Sequence, residues 1–172
     1  MKELSQPIES TCCFTGHRPK KLSTDEKLIR VALARKIKEA VFDGYSVFIS
    51  GMAHGVDLWA AEAVLEEKAD NPNIRLICAF PFLKERFDAE ETKIKNAADE
   101  VLFVSDNYCR NCFELRDCWM VDHSSRVIAV FNGTPGGTAK TIEYAKESGK
   151  ETVIIGCEKP GIDSSGQTWY DC

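Results

Sequence analysis

The residues best equipped for chemistry in this chain are glycines and hydroxyls gathered with a few charges at three turns. The first turn is Thr15-Gly16-His17-Arg18-Pro19. Gly16 lets a ligand come close to the backbone, and Arg18 can make a bidentate contact to phosphate. The plainer reading is a tight turn with a solvated arginine, and a His17 bonded only to its own loop. The second turn, Ser50-Gly51-Met52-Ala53-His54-Gly55-Val56-Asp57, runs straight into a helical pattern. Small residues at a helix start expose backbone N–H groups and bring the positive end of the dipole to a ligand. Ser50, Gly51, Ala53, Gly55 and Asp57 are its candidate contacts. The spacing is G-x-x-x-G, so this is not the dinucleotide fingerprint G-x-G-x-x-G. Asp57 either serves the helix dipole, fixes the loop or takes part in chemistry.

The third turn is Asn132-Gly133-Thr134-Pro135-Gly136-Gly137-Thr138. Gly133, Gly136, Gly137 and Thr138 form a second anion cradle of the same physical kind. Two such cradles in one chain point to a phosphate-bearing ligand. Eight cysteines offer a competing site. Cys109 and Cys112 have metal-ligand spacing, Cys118 adds a third thiol and His123 is the nearby fourth group, yet no second paired motif follows. Cys112 and Cys118 would also lie on different helix faces. We therefore expect no metal and read these thiols as structural or redox-labile. Trp119 and Met120 read as core, not as a stacking platform.

These turns need a scaffold, and the hydrophobic pattern supplies one. Apolar runs recur at Cys12–Thr15, Ser46–Ser50, Arg75–Phe80, Val101–Val104, Val127–Phe131 and Val153–Ile155. Short continuous runs without alternation suit strands covered on both faces. Helical periodicity fills the intervals. Thr24–Asp43 carries Ile29, Leu33, Ile37, Ala40 and Val41 on one stripe before Gly44. A second helix begins near Gly55, ends before Asp70-Asn71-Pro72-Asn73 and buries Val56, Ala60, Ala63 and Val64. The others span Lys84–Ala98, Cys109–His123 and Gly137–Ser148, the Lys84 helix being charged and superficial. Strands alternating with helices imply an α/β fold: a Rossmann-like, doubly wound, mainly parallel sheet of about six strands with helices on both faces. Ligands in such sheets bind beyond the carboxyl ends of the strands, which is where all three turns fall.

Composition bounds the alternatives. With 172 residues, 44% hydrophobic and 28% charged, the chain is one domain over residues 1–157, followed by a polar tail over residues 158–172. Disorder and collagen-like folds are excluded. A net charge of -5 gives no whole-chain basic footprint for nucleic acid. No apolar run approaches the ~20 residues of a membrane span, and the first ten residues lack signal-peptide character. The expectation is a cytoplasmic protein with reduced thiols and no membrane partner.

The motifs also resemble a known superfamily. Ser50–Asp57 resembles the S-G-x-A-x-G-[IV]-D signature of the DNA-processing protein A group. Pro135-Gly136-Gly137 with Glu143 resembles the P-G-G-x-G-T-x-x-E motif of the Lonely-guy phosphoribohydrolases. Both belong to the SLOG superfamily of Rossmann-like nucleotide-binding domains, and the resemblance covers roughly Cys12 to Gly156. T-G-H-R-P and the stretch Arg116–Asp122 look like the YpsA-like branch, with Asp117 in place of the usual Asn. Here Thr138-Ala139-Lys140 stands where the phosphoribohydrolases have x-G-T. Ala139 disfavours a positive φ, and Lys140 would bring a charge in place of a hydroxyl.

The resemblance implies a small nucleotide-derived ligand, no cofactor and a homodimer. It also implies an alternative enzyme reading, an N-glycosidic phosphoribohydrolase acting on a nucleoside monophosphate. In that reading Glu143 sits beside the ribosyl carbon and Arg116 holds the phosphate. Glu143 equally reads as a solvated helix charge. A second alternative is single-stranded DNA binding, which the acidic balance disfavours.

Overall fold

A computed structural model describes residues 6–157. The tail over residues 158–172 lies outside the described residues. Six strands alternate with five helices: β1 (Thr11–Gly16), α1 (Glu26–Phe42), β2 (Val47–Ser50), α2 (Val56–Asp70), β3 (Arg75–Phe82), α3 (Ala89–Ala97), β4 (Glu100–Ser105), α4 (Cys112–Asp122), β5 (Arg126–Phe131), α5 (Gly137–Glu147) and β6 (Glu151–Gly156). The strands form one sheet in the order β4-β3-β2-β1-β5-β6, with every neighbouring pair parallel. The expected doubly wound α/β architecture is present, and its sheet is parallel throughout.

The apolar runs divide by residue parity, because successive strand side chains point to opposite faces. Cys12, Phe14, Phe48, Leu76, Cys78 and Phe80 face the layer made by α1, α2 and α3. Cys13, Val47, Ile49, Ile77 and Ala79 face Trp119, Met120 and Val121 of α4 and Ala145 of α5. The stripe of α1 is buried at Ile29, Leu33, Ile37 and Ala40, as its spacing predicts. Asp25 caps that helix by accepting from the Lys27 N–H at 2.9 Å.

Two helix starts lie later than the periodicity predicts. The Lys84 helix begins at Ala89, because Asp88 and Glu91 close a reciprocal capping box that fixes the first turn there. Glu91 and Ile94 are also buried, so α3 is less superficial than its charge implies. The Cys109 helix begins at Cys112, after a turn in which the Cys112 N–H bonds the Cys109 carbonyl at 3.2 Å. No described helix is long and apolar enough to cross a membrane.

The chain reverses its direction of winding between β1 and β5, so the crevice beyond their carboxyl ends is the topological switch point. The His17 N–H donates to the Val130 carbonyl across that seam at 3.3 Å, and the His17 ring stacks on Phe131 at 5.3 Å.

Candidate functional site

A crevice of about 220 Å³ opens at the switch point. Thr15, Gly16, His17 and Arg18 line it from the end of β1, together with Lys21. Ala53 and Asp57 come from the β2–α2 turn, Phe113, Arg116 and Asp117 from α4, and Gly137 and Thr138 from the start of α5. All three sequence turns therefore converge on one space.

The remaining turn residues support the crevice without lining it. Ser50 is fully buried, and its hydroxyl donates to the Asp57 carbonyl at 2.8 Å while accepting from the Met52 N–H at 3.2 Å. A Cβ on Gly51 would collide with the Arg116 guanidinium and the Asp57 carboxylate, so any side chain there would have to displace them. Gly55 precedes α2 with φ +94°, a left-handed conformation, and packs against the Pro19 ring. Gly133 and Gly136 lie in the loop between β5 and α5. Met52 adopts φ +56° although it carries a side chain, a strained backbone that its burial and the Ser50 hydroxyl hold in place.

The electrostatics of the crevice are centred on Asp57 and Arg116. Asp57, at the first turn of α2, accepts from the Ala53 N–H at 3.3 Å. Burial drives its carboxyl up to about 6, against the opposing pull of Arg116, while Asp117 adds to the rise. Arg116 is nearly enclosed. Its Nη1 donates to the Gly51 carbonyl and its Nε to Asp117 Oδ1 at 2.7 Å. His17 is 3% exposed and its Nε2 has no hydrogen-bond partner. Burial, reinforced by Lys21, holds the imidazole below its ordinary range, so it is neutral at physiological pH. Arg18, Lys21 and Arg116 then face Asp57 and Asp117, an excess of positive charge inside an acidic chain.

Glu143 is elsewhere. It is exposed and lines a separate depression with Phe131, Ala139, Ile142, Lys146 and Glu147, because the buried stripe of α5 runs through Thr138, Thr141, Ile142 and Ala145. The structure does not bring Glu143 and Arg116 into one cavity. Ala139 sits in the first turn of α5 with ordinary helical geometry, so no positive φ is demanded there. Lys140 points to Glu114 of α4 at 3.7 Å and not into the crevice.

Among the described residues, Cys109, Cys112 and Cys118 form no cluster with His123. Cys112 is buried, Cys109 and Cys118 are half-buried, and His123 turns Nδ1 to the Trp119 carbonyl at 2.7 Å. Among the described residues, His54, Asp88 and Glu91 do cluster, but Glu91 is already held by Lys84 and by the α3 cap. Trp119 and Met120 are core, as expected. Sequence reasoning passed over Phe113 and Lys21. Neither belongs to a glycine turn, and only the tertiary fold brings them to the crevice.

A parallel sheet in this strand order, with two helix starts preceded by glycines meeting at its switch point, defines a Rossmann-like domain. The YpsA family model, described as the YspA SLOG family, matches residues 12–157, and the chain belongs to that family. A UPF0398 protein of Bacillus cereus strain B4264 is 30% identical over 152 residues, covering 79% of this chain and 82% of the relative. A UPF0398 protein of Bacillus thuringiensis strain Al Hakam is equally similar over the same shares. Among solved structures, DNA processing protein A of Streptococcus pneumoniae superimposes with a TM-score of 0.67 at 19% identity, covering 92% of this chain and 53% of that one. Its Helicobacter pylori counterpart, described for its single-stranded DNA binding mode, gives 0.60 at 20% identity, covering 86% of this chain and 65% of that one. This chain thus spans about half of the pneumococcal protein, and the likeness is one of fold.

Proposed function

We propose that this protein binds a nucleotide or a nucleotide-derived phosphate ligand in the switch-point crevice, as a sensing or processing domain. The observation that carries the reading is the convergence of the β1 turn, the Asp57–Arg116 pair and the Gly137-Thr138 helix start on one cavity. The first-turn amides of α5 and the positive end of its dipole face an anion there. Arg18 and Lys21 add charge at the mouth, and neutral His17 adds a donor or acceptor without adding repulsion. The arrangement selects phosphate attached to a polar body, because Thr15, Thr138 and Asp57 offer hydroxyl and carboxylate partners for a sugar.

The test is a thermal-shift panel of phosphate sugars and mononucleotides against the intact chain. Binding that raises Tm with ligand concentration supports the reading. A flat response to ribose 5-phosphate and to mononucleotides alike rejects it. The hydrolase reading has less support, because Glu143 and Arg116 line different depressions. Release of free base and ribose phosphate, lost on Glu143→Gln, would restore it.

Single-stranded nucleic acid is the second reading, favoured by exposed Arg18 and Lys21 at the crevice, with exposed Lys20 between them in the sequence. It predicts a mobility shift with oligonucleotides that weakens steeply with salt, whereas a mononucleotide site predicts none. The family resemblance implies a homodimer, which sedimentation measures directly.

A further inference from the structure

We infer that the aromatic corner formed by Phe82, Tyr108 and Phe113 is a nucleobase-docking surface contiguous with the phosphate crevice. The inference rests on the crevice reading and specifies the class of ligand: a 5′-nucleotide, with its base stacked outside the cavity. Phe82 ends β3, Tyr108 lies in the loop after β4 and Phe113 in the first turn of α4. Phe82 packs edge-on against both partners, with centroids 5.3 Å from Tyr108 and 6.2 Å from Phe113. Among the described residues, two of the three rings remain open to solvent. Tyr108 is 68% exposed and Phe113 45%.

Three observations commit this surface to a base. First, Phe113 is itself a wall of the crevice, beside Arg116 and Asp117, so the aromatic corner is continuous with the anion site. Second, the two ends differ in chemistry in the order the sheet imposes. Lys21 donates to the Pro135 carbonyl at 3.4 Å and so stands over the β5–α5 turn, while the aromatics belong to β3, β4 and α4. Along the carboxyl edge β5 and β3 are three strand spacings apart, each about 4.8 Å, a span suited to a nucleotide and not to a lone phosphate. Third, the crevice holds about 220 Å³, less than the ~300–1,000 Å³ of pockets that enclose a drug-sized ligand, so a bound nucleotide must leave part of itself on the rim. Base–aromatic stacking is tolerant of base identity, and exposed tyrosine and phenylalanine provide the π-faces it needs.

Calorimetric titrations of the intact chain with ribose 5-phosphate, adenosine 5′-monophosphate and cytidine 5′-monophosphate test this directly. At least one nucleotide binds about tenfold more tightly than ribose 5-phosphate, the ~1.4 kcal/mol at the low end of a base–aromatic stack. Tyr108→Ala, which changes the corner and not the crevice lining, removes that advantage and leaves ribose 5-phosphate affinity unchanged, and Tyr108→Trp retains it. Equal affinity for all three ligands in the wild type overturns the base surface while keeping the phosphate crevice. No binding of any of them overturns both. An advantage that survives Tyr108→Ala also overturns the inference, and conversion of a dimer to a monomer by that variant in sedimentation then shows that a second copy covers the corner.

Discussion

Arg116 of α4 donates through Nη1 to the backbone carbonyl of Gly51, tying the helix that carries Phe113 to the turn that carries Asp57. The guanidinium is 4% exposed and its Nε bonds Asp117 at the same time. Arg116 is therefore a brace for the crevice that it also lines.

Replacing Arg116 by Met should cost about 3 kcal/mol of unfolding free energy, because the Gly51 carbonyl and two carboxylates then lose a buried partner. The same variant should raise the Asp57 carboxyl further, since Arg116 is the main force lowering it. Urea unfolding and a carboxyl titration by nuclear magnetic resonance measure the two effects. A loss below ~0.5 kcal/mol would mean that solvent replaces the brace.

Asp57 makes stability depend on pH in a definite direction. Its folded-state carboxyl is raised from 3.8 to about 6, so the folded chain holds this proton more tightly than the unfolded chain does. The stability it contributes is present in acid and lost as pH rises through about 6, an effect on the order of 1–3 kcal/mol. Asp57→Asn removes that loss, so its Tm advantage over the wild type should grow between about pH 4 and about pH 6.5 and then level off. A pH-independent difference would show that Asp57 titrates alike in the folded and unfolded chain.

Gly137→Val should block the crevice without unfolding the domain. A Cβ at Gly137 meets nothing within 4 Å, so the fold accepts a side chain that grows into the space beside the cradle. Gly136 is a poorer probe, because its φ of +151° strains any side chain placed there. The expected result is a Tm within about 2–4 °C of the wild type, a shift worth roughly 1 kcal/mol, with ribose 5-phosphate affinity reduced at least tenfold. Unchanged affinity removes the α5 start from the site.

The thiols should separate into two classes under alkylation. Burial pushes Cys13 and Cys78 up to about 12, and Cys12 well above its ordinary value, so all three stay protected until the chain unfolds. Half-buried Cys109 and Cys118 should label in the native protein, with Cys118 the slower because burial and nearby carboxylates raise it. Peptide mapping by mass spectrometry reads both classes. Native labelling of Cys12 or Cys13 would show that the sheet opens between β1 and its neighbours.

The sheet was legible because its strands are buried on both faces and read as unbroken apolar runs, and the glycine turns because each ends such a run. What the sequence concealed depends on long-range contact. The bond from Arg116 to Gly51 joins residues 65 positions apart, and nothing in the α4 pattern announces that a charged side chain is enclosed there. Phe113 sits in a charged segment with no aromatic periodicity, and its partner Phe82 arrives from another strand. The exposure of Glu143 was written in the chain: Thr138, Thr141, Ile142 and Ala145 define the buried stripe, and Glu143 falls off it. The motif resemblance drew attention to the glutamate, and the helical phase set where it points.

We propose that phosphate binds at the switch point between β1 and β5. Proton–nitrogen correlation spectra of the labelled chain, titrated with ribose 5-phosphate, test it most directly. The account predicts saturable shifts at the amides of Gly16, His17, Arg18, Gly137 and Thr138. Shifts confined to the Glu143, Lys146 and Glu147 depression, or no shifts at any concentration, would contradict it.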